Sequence, residues 1–268
     1  MRSTSCPQGD CLLTTVSRTE IFVVNLDRSP ARLARIDRQL RGLGLDYVRV
    51  PAVDGAVLPP EVLERLLARR RYFRELIKGE VGATLSHRAC WQRVVDTGLE
   101  WALVLEDDVD LLPEFAAVPA ALERLKPGWE MVRLSNGWLR RHLRPVASAG
   151  PFQLVSYFKI ASGLQGYAVS RRGAEHLLRM PEAVRRPIDV NLQCWWEHGV
   201  EILGLSPFSV ASRREDVSDI WAGLRERKPE LPRMRFSLWF WLMNLRSWGR
   251  MQREAREWRQ REGNLPNG

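Results

Sequence analysis

The chain has 268 residues, 45% of them hydrophobic, enough to bury a substantial core in one large α/β domain or two small ones. Its formal charge of +9 arises from 41 basic against 32 acidic residues, and only Lys78, Lys126, Lys159 and Lys228 of the basic ones are lysine. A basic balance suits nucleic acid, anionic lipid or phosphorylated substrates, and equally an arginine-favouring genome, but no recognition-helix, zinc-finger or RNP pattern supports a nucleic-acid binder. Cys6, Cys11, Cys90 and Cys194 show neither metal-finger spacing nor a dense disulfide pattern, which predicts isolated thiols in a reducing compartment. With no signal-peptide pattern and no apolar run near the ~20 residues of a membrane span, the expected location is cytoplasmic.

Residues 1–19 read as a loose leader. Glu20–Leu26 then forms an apolar, β-rich run entering the polar stretch Asn25-Leu26-Asp27-Arg28-Ser29. Ser29-Pro30 opens a helix in which Leu33, Ile36 and Leu40 recur at helical spacing before Gly42 and Gly44. A strand over Asp46–Val50 completes a βαβ unit, which favours parallel pairing and a ligand crevice at the carboxyl ends of strands. Asn25, Arg28 and Arg32 stand where that crevice would be met, and arginine suits a diphosphate because its planar donors bond two oxygens at once. Ordinary turn chemistry and a solvated helix face are the plainer readings. Asp54, in Ala52-Val53-Asp54-Gly55, is a candidate acceptor for uridine or ribose hydroxyls, or simply an Asp-Gly turn.

Leu58–Leu76 is expected to be helical, as is Gly79–Thr97, where Gly79, Gly82 and Ala83 allow close backbone approach. Ser86 and His87 come early in that second helix, and His87 is placed to bond a phosphate or sugar hydroxyl unless it is merely packed. Trp101–Leu105 is a wholly apolar strand running into Glu106-Asp107-Asp108-Val109-Asp110. If the strand continues, Glu106 and Asp108 project to one side and Asp107 to the other. Two carboxylates on one side make a hard-oxygen site for Mg²⁺ or Mn²⁺ shared with a diphosphate. Spacing leaves the register Asp108/Asp110 open. Further strands are expected at Glu130–Leu134 and Gly166–Val169, and a helix over Arg172–Arg179.

Six ordered segments give the chain its resemblance to a known family. They are Val24-Asn25-Leu26-Asp27-Arg28-Ser29 with Arg32, Ala52-Val53-Asp54-Gly55, Gly79-Glu80-Val81-Gly82 with Leu85-Ser86-His87, Leu105-Glu106-Asp107-Asp108-Val109, Gly166-Tyr167-Ala168-Val169-Ser170, and Pro187-Ile188-Asp189. From about Ile21 to Ile220 the chain resembles glycosyltransferase family 25, with Ala83 standing where bacterial relatives often have cysteine. The resemblance implies a GT-A-like α/β domain with a mostly parallel sheet, over residues 20–221. It also implies a nucleotide-sugar donor, expected to be UDP-galactose, a divalent cation, Mn²⁺ or Mg²⁺, and inversion at the anomeric carbon. The acceptor expected is a lipopolysaccharide, lipooligosaccharide or related glycan; UDP-glucose or a protein acceptor is the alternative within the family. It makes Asp189 the candidate general base, although an Asp at that place is commonly a helix cap. Glu106 and Asp108 are the expected metal ligands. Asn25, Arg28, Arg32, Asp54, Ser86, His87 and Asp107 form the expected donor-binding set. Trp195 and Trp196 follow Asp189 as sugar-stacking candidates or core.

Residues 222–268 lie outside the resemblance and hold eleven Arg or Lys against five Glu, most of the chain's imbalance. The segment is expected to be helical, with Phe236, Trp239, Phe240 and Met243 on one face and Leu238, Trp241, Leu242 and Leu245 widening the apolar surface. That pattern predicts either packing on the core or peripheral attachment to the anionic inner face of the cytoplasmic membrane.

Overall fold

The computed structural model describes residues 19–69, 72–125, 128–136, 143–213 and 233–263, with side chains in the last segment described from residue 237 to 260. The leader up to residue 18, Cys6, Cys11, Lys126, Ile220, the stretch 222–232 with Lys228, and the side chain of Phe236 lie outside the described residues.

The opening βαβ unit is present. Strand β1 (Thr19–Asn25) leads to helix α1 (Pro30–Gly42), whose first turn accepts Pro30 because the amide it lacks would have no intrahelical partner. Ile36 and Leu40 are its buried stripe. Strand β2 (Val48–Pro51) then pairs with β1 in parallel. Helix α2 (Pro60–Leu67) is shorter than the expected 58–76: the chain leaves the helix after Leu67 and bends, so that Arg74 can pair with Glu80 at the start of the next one. That next helix, α3 (Lys78–Asp96), begins where Glu80 Oε2 accepts the Ile77 amide at 3.0 Å. It returns the chain to β3 (Trp101–Glu106), parallel to β1 on the side away from β2.

Past β3 come the short strand β4 (Val109–Leu111), helix α4 (Val118–Arg124), β5 (Met131–Arg133), the hairpin β6 (Leu143–Ala149) with β7 (Phe152–Tyr157), and β8 (Gly166–Ser170). Helices α5 (Arg171–Leu178), α6 (Ile188–Gln193) and α7 (Trp195–His198) precede β9 (Ile202–Ser206) and β10 (Val210–Ser212), and the tail adds α8 (Arg233–Leu245) and α9 (Ser247–Gly263). The main sheet has the order β2-β1-β3-β8-β5-β9-β7-β6. Following the pairings across it, β8 and β7 oppose the other strands, so the sheet is mostly parallel, six strands of eight in one direction. A separate pair joins β10 to β4.

Alternation along the central strands builds a three-layer domain. Ile21, Val23, Leu103 and Leu105 face a core with Ile36 and Leu40 of α1 and Val118 and Leu122 of α4. Phe22, Val24, Ala102 and Val104 face the other core, with Trp91 and Val94 of α3, Leu177 of α5 and Leu192 of α6.

Part of the tail packs on the core, one of the two expectations for it. Helix α9 packs on β6 and β7 and places Ala255 and Trp258 in the α1 core. Glu254 accepts from the Ser156 hydroxyl, Arg250 donates to the Tyr157 carbonyl, and Trp258 Nε1 donates to Glu201 at 3.2 Å. Helix α8 buries only one side. Among the described residues no helix is long and apolar enough to cross a membrane.

Candidate active site

The strand order makes the site. The chain goes from β1 to its neighbour β2, then crosses back to β3 on the other flank, so the loops after β1 and β3 diverge and leave a crevice at their carboxyl ends. A cavity of about 250 Å³ lies there, lined by Arg28, Arg32, Asp54, Ser86, His87 and the three acidic residues Glu106, Asp107 and Asp108. That is the small end of ligand pockets, room for a diphosphate and its cation.

The acidic cluster reaches the cavity by a route different from the expected one. Strand β3 ends at Glu106, and Asp107 and Asp108 occupy a turn before β4, so strand alternation does not set their directions and all three line the cavity. The turn's backbone is held by α1: Gln39 donates to the Val109 carbonyl at 3.1 Å and accepts the Leu111 amide at 2.7 Å. Asp110 sits in β4, paired with Ala211 of β10, and does not line the cavity, which favours Glu106/Asp108 over the later register.

The three carboxylates differ in their surroundings. Asp107 accepts from Asn25 Nδ2 at 2.6 Å and lies 3.9 Å from Arg32. Burial raises its pKa, with the Asn25 and Arg32 contacts opposing. Asp108 is more isolated: its Oδ1 is buried without a hydrogen-bond partner. Burial first, then the charges of Glu106 and Asp107, push its pKa up to about 7. An unsatisfied buried carboxylate oxygen beside a second carboxylate is the arrangement a hard divalent cation relieves. Among the described residues no group of three or more His, Cys, Asp or Glu side chains is gathered closely enough to hold a metal by itself, so such an ion would need substrate oxygens to complete its shell.

Glu106 is steered by a buried chain. Trp91 Nε1 can only donate, and it does so to the Tyr167 hydroxyl at 2.9 Å. The Tyr167 proton is then directed to His87 Nδ1, 3.1 Å away, which leaves the His87 proton on Nε2, facing Glu106 Oε1 at 3.4 Å. His87 is 1% exposed, so its contact with Glu106 fixes a carboxylate rather than sampling solvent. Tyr167 and Trp91 carried no functional expectation from sequence; the only signal was the polar ends they place inside apolar elements.

Other expected residues are present but committed to the chain. Asn25 is buried, does not line the cavity, and links Ser29, Asp107 and Arg49. Asp54 caps the short 3-10 turn after it, accepting the Ala56 amide at 2.9 Å, while its other oxygen meets Arg28. Ser86 accepts the Val53 amide at 2.8 Å and donates to the Gly82 carbonyl at 2.7 Å. It thereby latches the loop after β2 onto α3. Gly82 makes that latch possible, since a Cβ there would lie 2.7 Å from the Gly55 nitrogen and overlap the Val53 carbonyl. Gly82→Ala is therefore expected to cost about 1–3 kcal/mol and to displace the cavity wall. A lowered Tm with a raised KM for donor would bear this out; an unchanged KM would separate the wall from donor binding.

Asp189 lies outside the cavity lining, in the first turn of α6. It accepts the Gly163 amide at 2.9 Å, and two residues further the Gln165 carbonyl accepts the Glu106 amide at 2.9 Å. One loop thus ties the candidate base to the acidic strand end. Arg133, buried in the apolar run of β5, donates to the carbonyls of Ala161 and Gly163 and holds that loop in place. A charged residue inside Met131-Val132-Arg133-Leu134 was the available sequence signal. Trp195 and Trp196 are half-buried and pack edge-on against each other, and Trp196 packs edge-on against Trp239 and Phe240.

Comparison with known proteins adds the decisive observation: residues 18–192, well over half of the chain, match the model for glycosyltransferase family 25 (LPS biosynthesis protein). The chain belongs to glycosyltransferase family 25. Among relatives, a rat protein named probable inactive glycosyltransferase 25 family member 3 is 35% identical over 180 residues, covering 59% of this chain and 29% of that one. Mouse procollagen galactosyltransferase 2 is 32% identical over 176 residues, covering 59% of this chain and 27% of its own. The family 25 chain thus spans less than a third of the length of these relatives. A solved mutant of a Drosophila β-1,4-galactosyltransferase 7, in complex with manganese, UDP-Gal and xylobiose, is similar at a TM-score of 0.42 and 8% identity, over 82% of this chain and 79% of that one. The family match ends at residue 192, within α6, so β9, β10 and the tail lie beyond it.

Proposed function

We propose that this family 25 chain transfers galactose from UDP-galactose, with inversion, to a hydroxyl of a lipopolysaccharide, lipooligosaccharide or related surface glycan. The observation that carries the reading is the buried, unpartnered Asp108 oxygen beside Glu106, in a cavity that Arg28 and Arg32 also line. Glu106 and Asp108 would hold a divalent cation. When bound, that ion would neutralise charge gathering on the departing diphosphate.

The chain's own groups do the rest. Arg28 and Arg32 bond diphosphate oxygens from the α1 side, and His87 keeps Glu106 oriented. Asp189 takes the acceptor hydroxyl's proton as that oxygen bonds the anomeric carbon and the bond to the diphosphate breaks on the opposite face. Its carboxylate already accepts the Gly163 and Val190 amides, which hold it in one orientation with lone pairs remaining. Galactose is favoured because relatives are named procollagen galactosyltransferases, and the same names support a second reading, a protein acceptor.

A donor screen tests the reading: UDP-galactose, UDP-glucose and other nucleotide-sugars are offered with glycan and collagen-peptide acceptors, with Mn²⁺ or with chelator. Consumption of UDP-galactose only with cation and glycan is the expected result. Consumption of another donor, or no transfer with any, overturns the assignment, the second outcome aligning the chain with the relatives named inactive.

A further inference from the structure

Helix α8 has two unlike faces. Phe240 and Asn244 are buried, and Trp239 and Phe240 meet Trp196 edge-on, so this side is seated on the catalytic domain. The other side carries Leu238, Trp241, Leu242 and Leu245, spaced i, i+3, i+4 and i+7, and Trp248 follows at the head of α9; each is between 49% and 61% exposed. Single exposed apolar residues are ordinary, whereas a contiguous stripe with two tryptophans marks an interaction surface.

The chemistry around the stripe selects its partner. Arg246 follows the stripe directly and Arg253, Arg256 and Arg259 are exposed on the succeeding helix α9, against exposed Glu257 among the described residues of the tail. A second copy of this chain would bring those like charges together, while lipid phosphates would be attracted by them. Tryptophan is enriched at the headgroup level, where its ring sits in the acyl boundary and its N–H stays hydrated. At 13 residues α8 is too short to span a bilayer, which takes ~20, and suits lying in its surface.

We propose that α8 docks the enzyme on an anionic lipid surface, its Leu238–Leu245 stripe in the acyl boundary and the neighbouring arginines over lipid phosphates. Because α9 is keyed into the core through Trp258, docking through α8 holds the catalytic domain beside the bilayer. The inference does not depend on which sugar the enzyme transfers.

The test is flotation of the full chain with phosphatidylcholine vesicles and with vesicles that also contain phosphatidylglycerol. Co-flotation with the anionic vesicles at low salt, weakened at high salt, is expected. Trp241→Ser with Leu245→Ser should lower partitioning at least roughly tenfold, given the apolar area withdrawn. Arg253→Glu with Arg256→Glu should lower it by roughly tenfold or more at low salt and little at high salt. Circular dichroism should be unchanged in both, since all four residues are exposed. No flotation with anionic vesicles, flotation indifferent to Trp241 and Leu245, or a dimer dissolved by Trp241→Ser that does not bind vesicles would each overturn the proposal.

Discussion

Asp108→Asn is expected to lower transfer by at least about 10³-fold, because it removes the charge that would anchor the cation while keeping the side chain's shape. The same variant should be no less stable than the parent in chelating buffer. Burial and the neighbouring carboxylates raise the Asp108 pKa from 3.8 to about 7, so the ionised form is disfavoured in the fold. That penalty is absent below pH 3.8, grows as pH rises, and is complete above about 7. The gain from Asn should therefore appear at pH 8 and vanish at pH 4. Activity lost while stability holds or rises separates a ligand residue from a structural one. Wild-type turnover by Asp108→Asn in chelating buffer would show that the reaction does not use this site.

For Asp189→Asn the expected result is a fall in kcat of roughly 10²–10⁴, with donor affinity nearly unchanged. The amide oxygen of Asn can still accept the Gly163 amide, so the loop that also bonds the Glu106 backbone should stay in place. What disappears is the capacity to accept a proton in the transition state. Single-turnover rates and donor titration measured side by side distinguish this from a positioning role. Weakened donor binding with an unchanged chemical step would move Asp189 from the acceptor side to the donor side.

The first half of the fold was legible because its strands are buried on both faces. Ile21–Val24 and Trp101–Leu105 are unbroken apolar runs, and Pro30 and Gly44 punctuate the helix between β1 and β2, with Gly44 at φ 68°. Strands β6, β7 and β9 carried weaker signals. Pro145 interrupts β6 next to a register shift, Gln153 and Ser156 dilute β7, and Gly204 breaks the pattern of β9 because the Tyr157 ring leaves no room for a Cβ. The end of β3 shows a limit of another kind. Periodicity does not say where a strand stops, and the turn at Asp107 brings into the cavity a carboxylate that alternation would have sent away.

The cavity's inventory was largely readable, but the bonding of each member was not. Arg28, Arg32, Asp54, Ser86, His87, Glu106, Asp107 and Asp108 all line it. The turn at Asp54 was among the readings open from sequence, but nothing there showed that Ser86 latches the loop after β2, or that Asn25 works beneath the cavity wall. Those assignments depend on contacts between residues far apart in the chain, such as Asn25 with Asp107. The tail was ambiguous for a related reason, since one amphipathic pattern served two helices. Only packing shows that α9 is part of the core while α8 keeps an outward stripe.

The central claim is that the crevice between the ends of β1 and β3 holds a nucleotide diphosphate through a cation on Glu106 and Asp108. Calorimetric titration of UDP into the full chain, with Mn²⁺ and then with chelator, tests it most directly. UDP should bind at least roughly tenfold more tightly with Mn²⁺, a difference of about 1.4 kcal/mol, and Asp108→Asn should erase the difference. UDP affinity that is the same with and without Mn²⁺, or a Mn²⁺ effect that survives in Asp108→Asn, would contradict the account.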